Sequence, residues 1–183
     1  MKKSQLEHVV RAASKICEDD EFIIIGSQSL HGKFPDIADE ILVSQEVDLL
    51  AKNQIHKTDF LNVIGIDSPF HETFGYYADP VDVNTSVLPK NWKNRLVHLK
   101  MENSESNIKA YCLEPHDLVI AKLAAGREKD KIFILALLNR SLVNLATIRL
   151  RLKETRVAEV KLKAMEQFLT VITNQGNNAN DES

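Results

Sequence analysis

Hydrophobic positions in the first fifty residues change from helical to strand spacing. Leu6, Val9, Val10, Ala13 and Cys17 recur at helical intervals, which predicts an amphipathic helix over residues 4–18. The short β-branched run 22–25 predicts a buried strand, and residues 43–50 predict a second one. Between these strands we expect a short helix over 28–30, closed by Gly32, and then a connector over 33–42.

The middle of the chain is less regular. A helix over 57–64 would turn Phe60, Leu61 and Ile64 inward. Residues 68–84 read as a long loop, rich in aromatic residues and with two prolines, in which a strand forms near 81–83. Apolar runs over 95–101 and 108–113 predict a β-hairpin, with its turn in the polar segment 102–107.

Helical spacing dominates from residue 115 onward. Pro115 is suited to begin a helix that ends before Gly126, and further helices are expected over 128–138, 142–152 and 157–172. The polar tail 175–183 has nothing to bury and should be disordered. These patterns predict an α+β head over 1–113, built on a mixed sheet flanked by helices, and a helical region over 114–174 packed on it.

Composition narrows the class of protein. With 183 residues, 44% of them hydrophobic, and a net charge of −3, the chain fits one ordinary domain and not a protein that coats nucleic acid. No apolar run reaches about 18 residues, and none follows the charged start, so we expect no membrane span, no signal peptide and a cytoplasmic location. Cys17 and Cys112 lack zinc spacing and are expected to be buried free thiols.

Two short stretches carry the most distinctive candidate chemistry. Gly26 and Ser27 end the first strand, where glycine lets a ligand approach the backbone and a helix start offers N–H groups to a phosphate. Glu46 and Asp48 are two residues apart in the second strand, so their carboxylates point the same way. Such a pair suits Mg²⁺ or Mn²⁺ bound beside a nucleotide phosphate. For Gly26 and Ser27, an ordinary strand-to-helix turn remains an alternative. For Glu46 and Asp48, the alternative is a solvated strand face.

Further candidates lie elsewhere along the chain. Lys122 is the one cation in an apolar helix, where it either reaches the surface or meets an anion, and Arg127 and Asp130 follow closely enough to lie near it. In the aromatic stretch, His71, Glu72, Tyr76 and Tyr77 could stack on a base, act in acid–base chemistry, or simply anchor the loop. Asp82 becomes a third carboxylate if residues 81–83 form the next strand, whereas Asp79, beside Pro80, is the weaker choice.

These residues also resemble a known superfamily. Ile25-Gly26-Ser27 followed by Glu46-Val47-Asp48 resembles the Gly-Ser and [Asp/Glu]-x-Asp signature of polymerase-beta-like nucleotidyltransferases. Residues 24–48, 68–77 and 112–130 are similar to a bacterial family of uncharacterised nucleotidyltransferase-like proteins, and abortive-infection toxin nucleotidyltransferases are more distant relatives. The resemblance implies that Ser27 holds phosphate, that Glu46 and Asp48 hold the metal, and that Lys122 neutralises phosphate charge, with Asp130 in the last acidic motif.

The function that follows is transfer of a nucleotidyl group from an NTP to a hydroxyl of RNA, a protein or a small molecule. The alternative is an inactive binding module with the same fold, acting in a toxin–antitoxin or phage-defence pair. A basic C-terminal region raises a third interpretation, an RNA-binding partner. It contains Arg149, Arg151, Lys153, Arg156, Lys161 and Lys163.

Overall fold

A mixed β-sheet lies at the centre of the computed structural model, which describes residues 1–38, 40–82, 84, 86–102 and 107–180. Its strands are β1 (Glu21–Ile24), β2 (Glu46–Ala51), β3 (Tyr77–Pro80), β4 (Val97–Leu99) and β5 (Lys109–Cys112). Their order across the sheet is β3-β2-β1-β5-β4, so β3 and β4 form the edges. β1 pairs with β2 and β4 with β5 in antiparallel fashion, whereas the β1–β5 and β2–β3 pairs are parallel.

Helices surround this sheet and make up the C-terminal half. The α-helices are α1 (Lys3–Cys17), α2 (Pro69–Phe74), α3 (Pro115–Ala125), α4 (Glu128–Asn139), α5 (Leu145–Lys153) and α6 (Glu159–Asn180). In addition, 3₁₀ helices cover Ser27–Gly32, Ile55–Ile64 and Trp92–Arg95. The predicted α+β class, with a mixed sheet and a helical C-terminal half, is confirmed.

Two hydrophobic clusters lie on opposite faces of the sheet. Strand alternation sends Phe22, Ile24, Val47 and Leu49 toward α1 and the 3₁₀ helix Ile55–Ile64. The other face, which carries Ile23 and Leu50, is covered by α3, α4, α5 and α6. Glu46 and Asp48 share the second face, because Val47 and Leu49 occupy the first. The C-terminal helices therefore lie over the carboxylate side of the sheet.

Several predicted boundaries are wrong. The second strand begins at Glu46 instead of residue 43, and the supposed loop 68–84 contains both α2 and β3. Phe60 was expected inside but is 54% exposed, because its segment is a 3₁₀ helix, in which residues three apart share a face, and Val63 is likewise 62% exposed.

Other predictions fall at the limits of the described chain. The β4–β5 hairpin is confirmed, but residues 103–106 of its turn lie outside the described residues. α6 continues past residue 172 to Asn180, and residues 181–183 of the predicted tail also lie outside. The division at residues 113 and 174 stays a prediction.

A buried carboxylate fastens three segments on the carboxylate side of the sheet. Asp117 in α3 is fully buried and accepts hydrogen bonds from Arg95 at 2.8 and 3.0 Å. Arg151 of α5 forms an ion pair with the same carboxylate at 3.2 Å. Since an unpaired charge in the core is costly, this network holds the segment before β4 against α3 and α5.

Two smaller expectations concern thiols and membranes. Cys17 and Cys112 are buried free cysteines, as predicted. Among the helices of the described ranges, none is long and apolar enough to cross a membrane.

Candidate functional site

Three carboxylates come together on neighbouring strands. β3 pairs with β2 in parallel, and this register places Asp79 opposite Asp48 and Tyr77 opposite Glu46. Residues opposite each other on paired strands lie about 5 Å apart and face the same side of the sheet. Asp79 therefore joins Glu46 and Asp48 on the carboxylate face.

The third strand ends at Pro80, just before the expected range 81–83, and neither Val81 nor Asp82 belongs to it, so the condition for choosing Asp82 is not met. Asp82 is exposed, follows the end of β3, and accepts the N–H of Asn84 at 2.8 Å; Val83 lies outside the described residues. Pro80 does not exclude a strand here because β3 is an edge strand, where proline is tolerated. A residue before proline is also biased toward extended backbone, which favours Asp79 in a strand.

Gly26 provides the space in which the Asp48 side chain lies. A β-carbon at residue 26 would come within 1.6 Å of Asp48 Oδ2 and 2.4 Å of its Cγ. The backbone at Gly26, with φ −84°, is one that any residue can adopt, so glycine is required here for space and not for conformation. The N–H of Ile25 donates to the Asp48 carbonyl at 3.1 Å, which fixes the two strand ends against each other.

Two cations face the carboxylates from the helical side, and a buried acid holds both. Lys122 of α3 lies 3.3 Å from Asp130 Oδ1, and Arg127 donates to Asp130 at 2.7 and 3.2 Å. Asp130 is 1% exposed, and Arg127 and Lys122 hold its pKa below the usual value although burial opposes this. Asp130 therefore positions the cations rather than joining the carboxylate group.

The two cations and Asp48 line a cleft of about 200 Å³, which we call the cationic cleft. Its polar side chains are Asp48, Ser86, Lys122, Arg127 and, from α6, Lys161, and Gly26 also lines it. Apolar side chains such as Val81 and Leu118 complete it. Ser27, in contrast, is mostly buried as the first residue of its 3₁₀ helix and does not line the cleft.

The carboxylates repel one another. Burial and the nearby Glu46 charge raise the pKa of Asp48 from 3.8 to about 6, against the opposing effect of Lys122. Burial and Glu46 also raise the pKa of Asp79. The same negative charges favour the charged form of Arg127. Its hydrogen bond to Asp130 and the charges of Glu46 and Asp48 raise its pKa. A cation bound between the carboxylates would remove this repulsion.

The carboxylates fit a divalent metal whose remaining ligands come from a substrate and from water. Within the described part of the chain, no group of three or more His, Cys, Asp or Glu side chains is arranged to hold an ion by itself. Mg²⁺, however, typically takes one or two carboxylates and completes its shell with phosphate oxygens and water. Glu46 and Asp48 would supply that number of carboxylates.

The aromatic stretch divides between the two faces of the sheet. The hydroxyl of Tyr77 donates to Glu46 Oε2 at 3.2 Å, and the Tyr77 ring contacts His71 at a centroid distance of 4.7 Å. Tyr76 lies in the opposite cluster, where its hydroxyl is 2.9 Å from His8 Nδ1. Glu72 is exposed on α2. The aromatic residue in contact with the carboxylates is thus Tyr77, and Tyr76 anchors α2 to α1.

Several basic side chains of the C-terminal region form contacts with other residues of the protein. Arg149 donates to the Leu169 carbonyl and to Thr173 in α6, at 3.4 and 3.0 Å. Arg151 is paired with the buried Asp117. Lys163 pairs with Glu159 at 2.7 Å. Among these basic residues, Lys161 is the one that reaches the cationic cleft.

A family model matches most of the chain. Residues 4–172 match the model of a family described as "Nucleotidyltransferase of unknown function (DUF6036)". The chain belongs to this family. Membership in DUF6036 supports a nucleotidyltransferase function in general terms, as the sequence predicts, whereas the wider superfamily and the relation to toxins stay predictions. No curated protein and no solved structure matches the chain.

The sequence ranks Asp79 below Asp82 and gives no sign that Lys161 lines the cleft, for different reasons. Asp79 was discounted because of Pro80, although the extended bias before proline was a usable signal. Lys161 carries no local signal, because only the return of α6 across the sheet brings it to Asp48 and Lys122. The structure brings together Glu46, Asp48, Gly26, Lys122 and Arg127, and their roles stay predictions.

Proposed function

We propose that this DUF6036 protein is a metal-dependent nucleotidyltransferase that uses an NTP to modify a hydroxyl group. The observation that carries the proposal is the position of Asp48. Its carboxylate lies against Gly26, with acidic neighbours on the sheet and with Lys122 and Arg127 lining the same cleft. Carboxylates beside cations are the arrangement needed to hold a metal and the phosphates it binds.

Each side chain has a part in this reaction. Glu46 and Asp48 would hold Mg²⁺ or Mn²⁺, which supplies neutralisation of charge on the α-phosphate. The acceptor oxygen attacks the α-phosphorus, the bond to the bridging α–β oxygen breaks, and pyrophosphate leaves. Lys122 and Arg127 bind the negative charge of the leaving group, and Asp130 keeps both in place.

The proton of the acceptor hydroxyl needs a base, and Asp79 is the candidate. Burial and Glu46 raise the pKa of Asp79, which makes its carboxylate a better proton acceptor than an exposed aspartate. Its register opposite Asp48 supports this role, because a hydroxyl bound beside the Asp48 carboxylate would be within its reach. Tyr77 has a positioning role, because its hydroxyl donates to Glu46.

A second candidate is a nucleotide-binding module without transfer activity, one half of a toxin–antitoxin or phage-defence pair. The observation that favours it is that no three acidic or histidine side chains in the described ranges are arranged to hold an ion by themselves. Such a module would bind an NTP in the cationic cleft and leave it intact.

The two candidates are separated by one experiment. The protein is incubated with each of four NTPs labelled at the α-phosphate, with Mg²⁺ or Mn²⁺, and with RNA, protein extract or small hydroxyl compounds as acceptors. The enzyme should transfer label and release pyrophosphate, and Asp48→Asn should abolish both, while Glu72→Gln, an exposed acid outside the cleft, should not. NTP binding with no transfer to any acceptor would instead favour the binding module.

A further inference from the structure

A second pocket opens on the same face of the sheet as the carboxylates. Leu50 forms part of its floor and is two residues after Asp48 on β2, a separation of about 7 Å along the strand. We call it the tryptophan pocket. Its apolar walls are Ile23, Leu50, Ile55, Val81, Trp92 and Leu96. Val81 also lines the cationic cleft, so the two spaces adjoin beside Asp48.

The sizes of the two spaces suit different parts of a nucleotide. The cationic cleft measures about 200 Å³, which is below the roughly 300–1,000 Å³ typical of sites that enclose a whole small molecule. The tryptophan pocket measures about 550 Å³, within that range. A cleft lined by three cations matches a phosphate chain, whereas the larger and more apolar pocket matches a base and its sugar.

Trp92 offers a flat ring that packs, partly buried, against the hydrophobic cluster on the carboxylate face. It begins the 3₁₀ helix Trp92–Arg95, and Arg95 ties that helix to the buried Asp117 through two hydrogen bonds and to the Lys90 carbonyl at 3.0 Å. The Lys93 ammonium lies 5.7 Å from the centre of the Trp92 ring. A ring fixed in this way loses little freedom when a second aromatic ring stacks on it.

Three polar side chains at the pocket wall are already engaged with the protein, while Asp59, Asp82, Asn84 and Lys93 also line it. Thr58 Oγ1 accepts the N–H of Ala51 at 3.2 Å, and Asn53 donates its amide to Asp19 at 3.0 Å. Lys52 is paired with Glu21. Stacking on Trp92 would serve any base, because every base has a flat aromatic face.

We propose that the tryptophan pocket binds the base and sugar of the nucleoside triphosphate, stacked on Trp92, while the triphosphate crosses Asp48 into the cationic cleft. This inference rests on the proposed nucleotidyltransferase function. The pocket then accepts purine and pyrimidine nucleotides alike.

Trp92 is the single tryptophan of the chain, so its fluorescence reports on this pocket alone. The full-length protein is titrated with each of four NTPs, with the matching nucleosides and with inorganic tripolyphosphate, all with Mg²⁺, and free N-acetyltryptophanamide corrects for absorption by the ligand. NTPs and nucleosides should change the Trp92 emission, and tripolyphosphate should not, although it should compete with NTP.

Calorimetry on variants provides a second readout. Trp92→Leu should weaken NTP binding by about 5- to 100-fold, the range measured for loss of base stacking, and leave tripolyphosphate binding unchanged. Trp92→Phe should retain most of the affinity. Phe74→Leu is the matched control, because Phe74 is a partly exposed aromatic residue outside the pocket, and it should change nothing.

Failure of the pocket and failure of the function look different. If an NTP binds by calorimetry while Trp92 emission stays constant and Trp92→Leu binds normally, the nucleoside lies elsewhere and the pocket proposal is overturned, with the function intact. A strict preference for one base would also contradict recognition by stacking. If no NTP binds under any condition, the proposed function fails and the pocket proposal fails with it.

Discussion

Replacing Gly26 with alanine should disrupt the candidate site while changing the stability of the fold only slightly. The new β-carbon would lie 1.6 Å from Asp48 Oδ2 and 3.0 Å from Asp48 Cβ. To restore ordinary contact, the carboxylate oxygen has to retreat by about 2 Å, which takes it away from the position it shares with Glu46 and Asp79. Most of the clash falls on the carboxyl group, which can turn away, and the contact with Asp48 Cβ is relieved if the strand end shifts by a few tenths of an ångström.

The expected magnitudes follow from this geometry. Because the backbone at residue 26 suits any amino acid, Gly26→Ala should leave the free energy of unfolding within about 1 kcal/mol of wild type. A reacting group displaced by more than 1 Å costs about 100-fold in rate, so metal-dependent NTP turnover should fall by at least about that factor.

A matched control inverts this pattern. Gly75 has φ +73°, and a β-carbon added there would meet no atom of the described residues within 4 Å. Gly75→Ala should therefore cost about 1–2 kcal/mol in stability while turnover persists. Urea unfolding and release of labelled pyrophosphate are measured for both variants. Wild-type turnover in Gly26→Ala, or losses of turnover that simply follow stability in both variants, would refute the steric argument.

Three further predictions concern charge. The pKa of Asp48 is raised to about 6 from 3.8, so the folded state binds this proton more tightly than the unfolded state and loses stability as pH rises from about 4 to about 6. Asp48→Asn should therefore be more stable than wild type at pH 7.5 without metal, by roughly 1–3 kcal/mol in urea unfolding, with no advantage at pH 3.5; an equal difference at both values would contradict it. Lys161→Ala should raise the KM for NTP by about 5- to 10-fold, whereas Lys163→Ala, on the same helix and outside the cleft, should not. Asp79→Asn should lower kcat by about 100-fold or more, whereas Asp82→Asn, at the wall of the tryptophan pocket, should leave kcat unchanged and alter at most the KM for NTP; the reverse result for kcat would restore Asp82 as the third carboxylate.

The regular alternation of side chains along a β-strand explains why much of the site could be predicted. Glu46 and Asp48 had to share a face once residues 46–51 formed a strand, and Val47 and Leu49 marked the other face as buried. Gly26 was found because it ends a short apolar strand, but the need for space beside Asp48 is visible only in three dimensions.

The parts that could not be predicted depend on pairing between distant segments. β3 has four residues and ends in proline, so its own sequence gives little strand signal, and its register with β2 is set by the sheet. Lys161 reaches the cleft because α6 folds back over α3. The 3₁₀ geometry of Ile55–Ile64, which turns Phe60 outward, likewise differs from an α-helix by a small change in hydrogen bonding that apolar spacing does not resolve.

The central claim is that Glu46 and Asp48 hold a divalent metal together with a nucleotide. Calorimetric titration of an NTP into wild type and Asp48→Asn, each with and without Mn²⁺, tests it directly. The account predicts that Mn²⁺ raises NTP affinity at least about 10-fold in wild type, and that this gain disappears in Asp48→Asn while metal-free binding through Lys122 and Arg127 persists. Equal affinity with and without Mn²⁺ in wild type, or an undiminished gain in the variant, would contradict it.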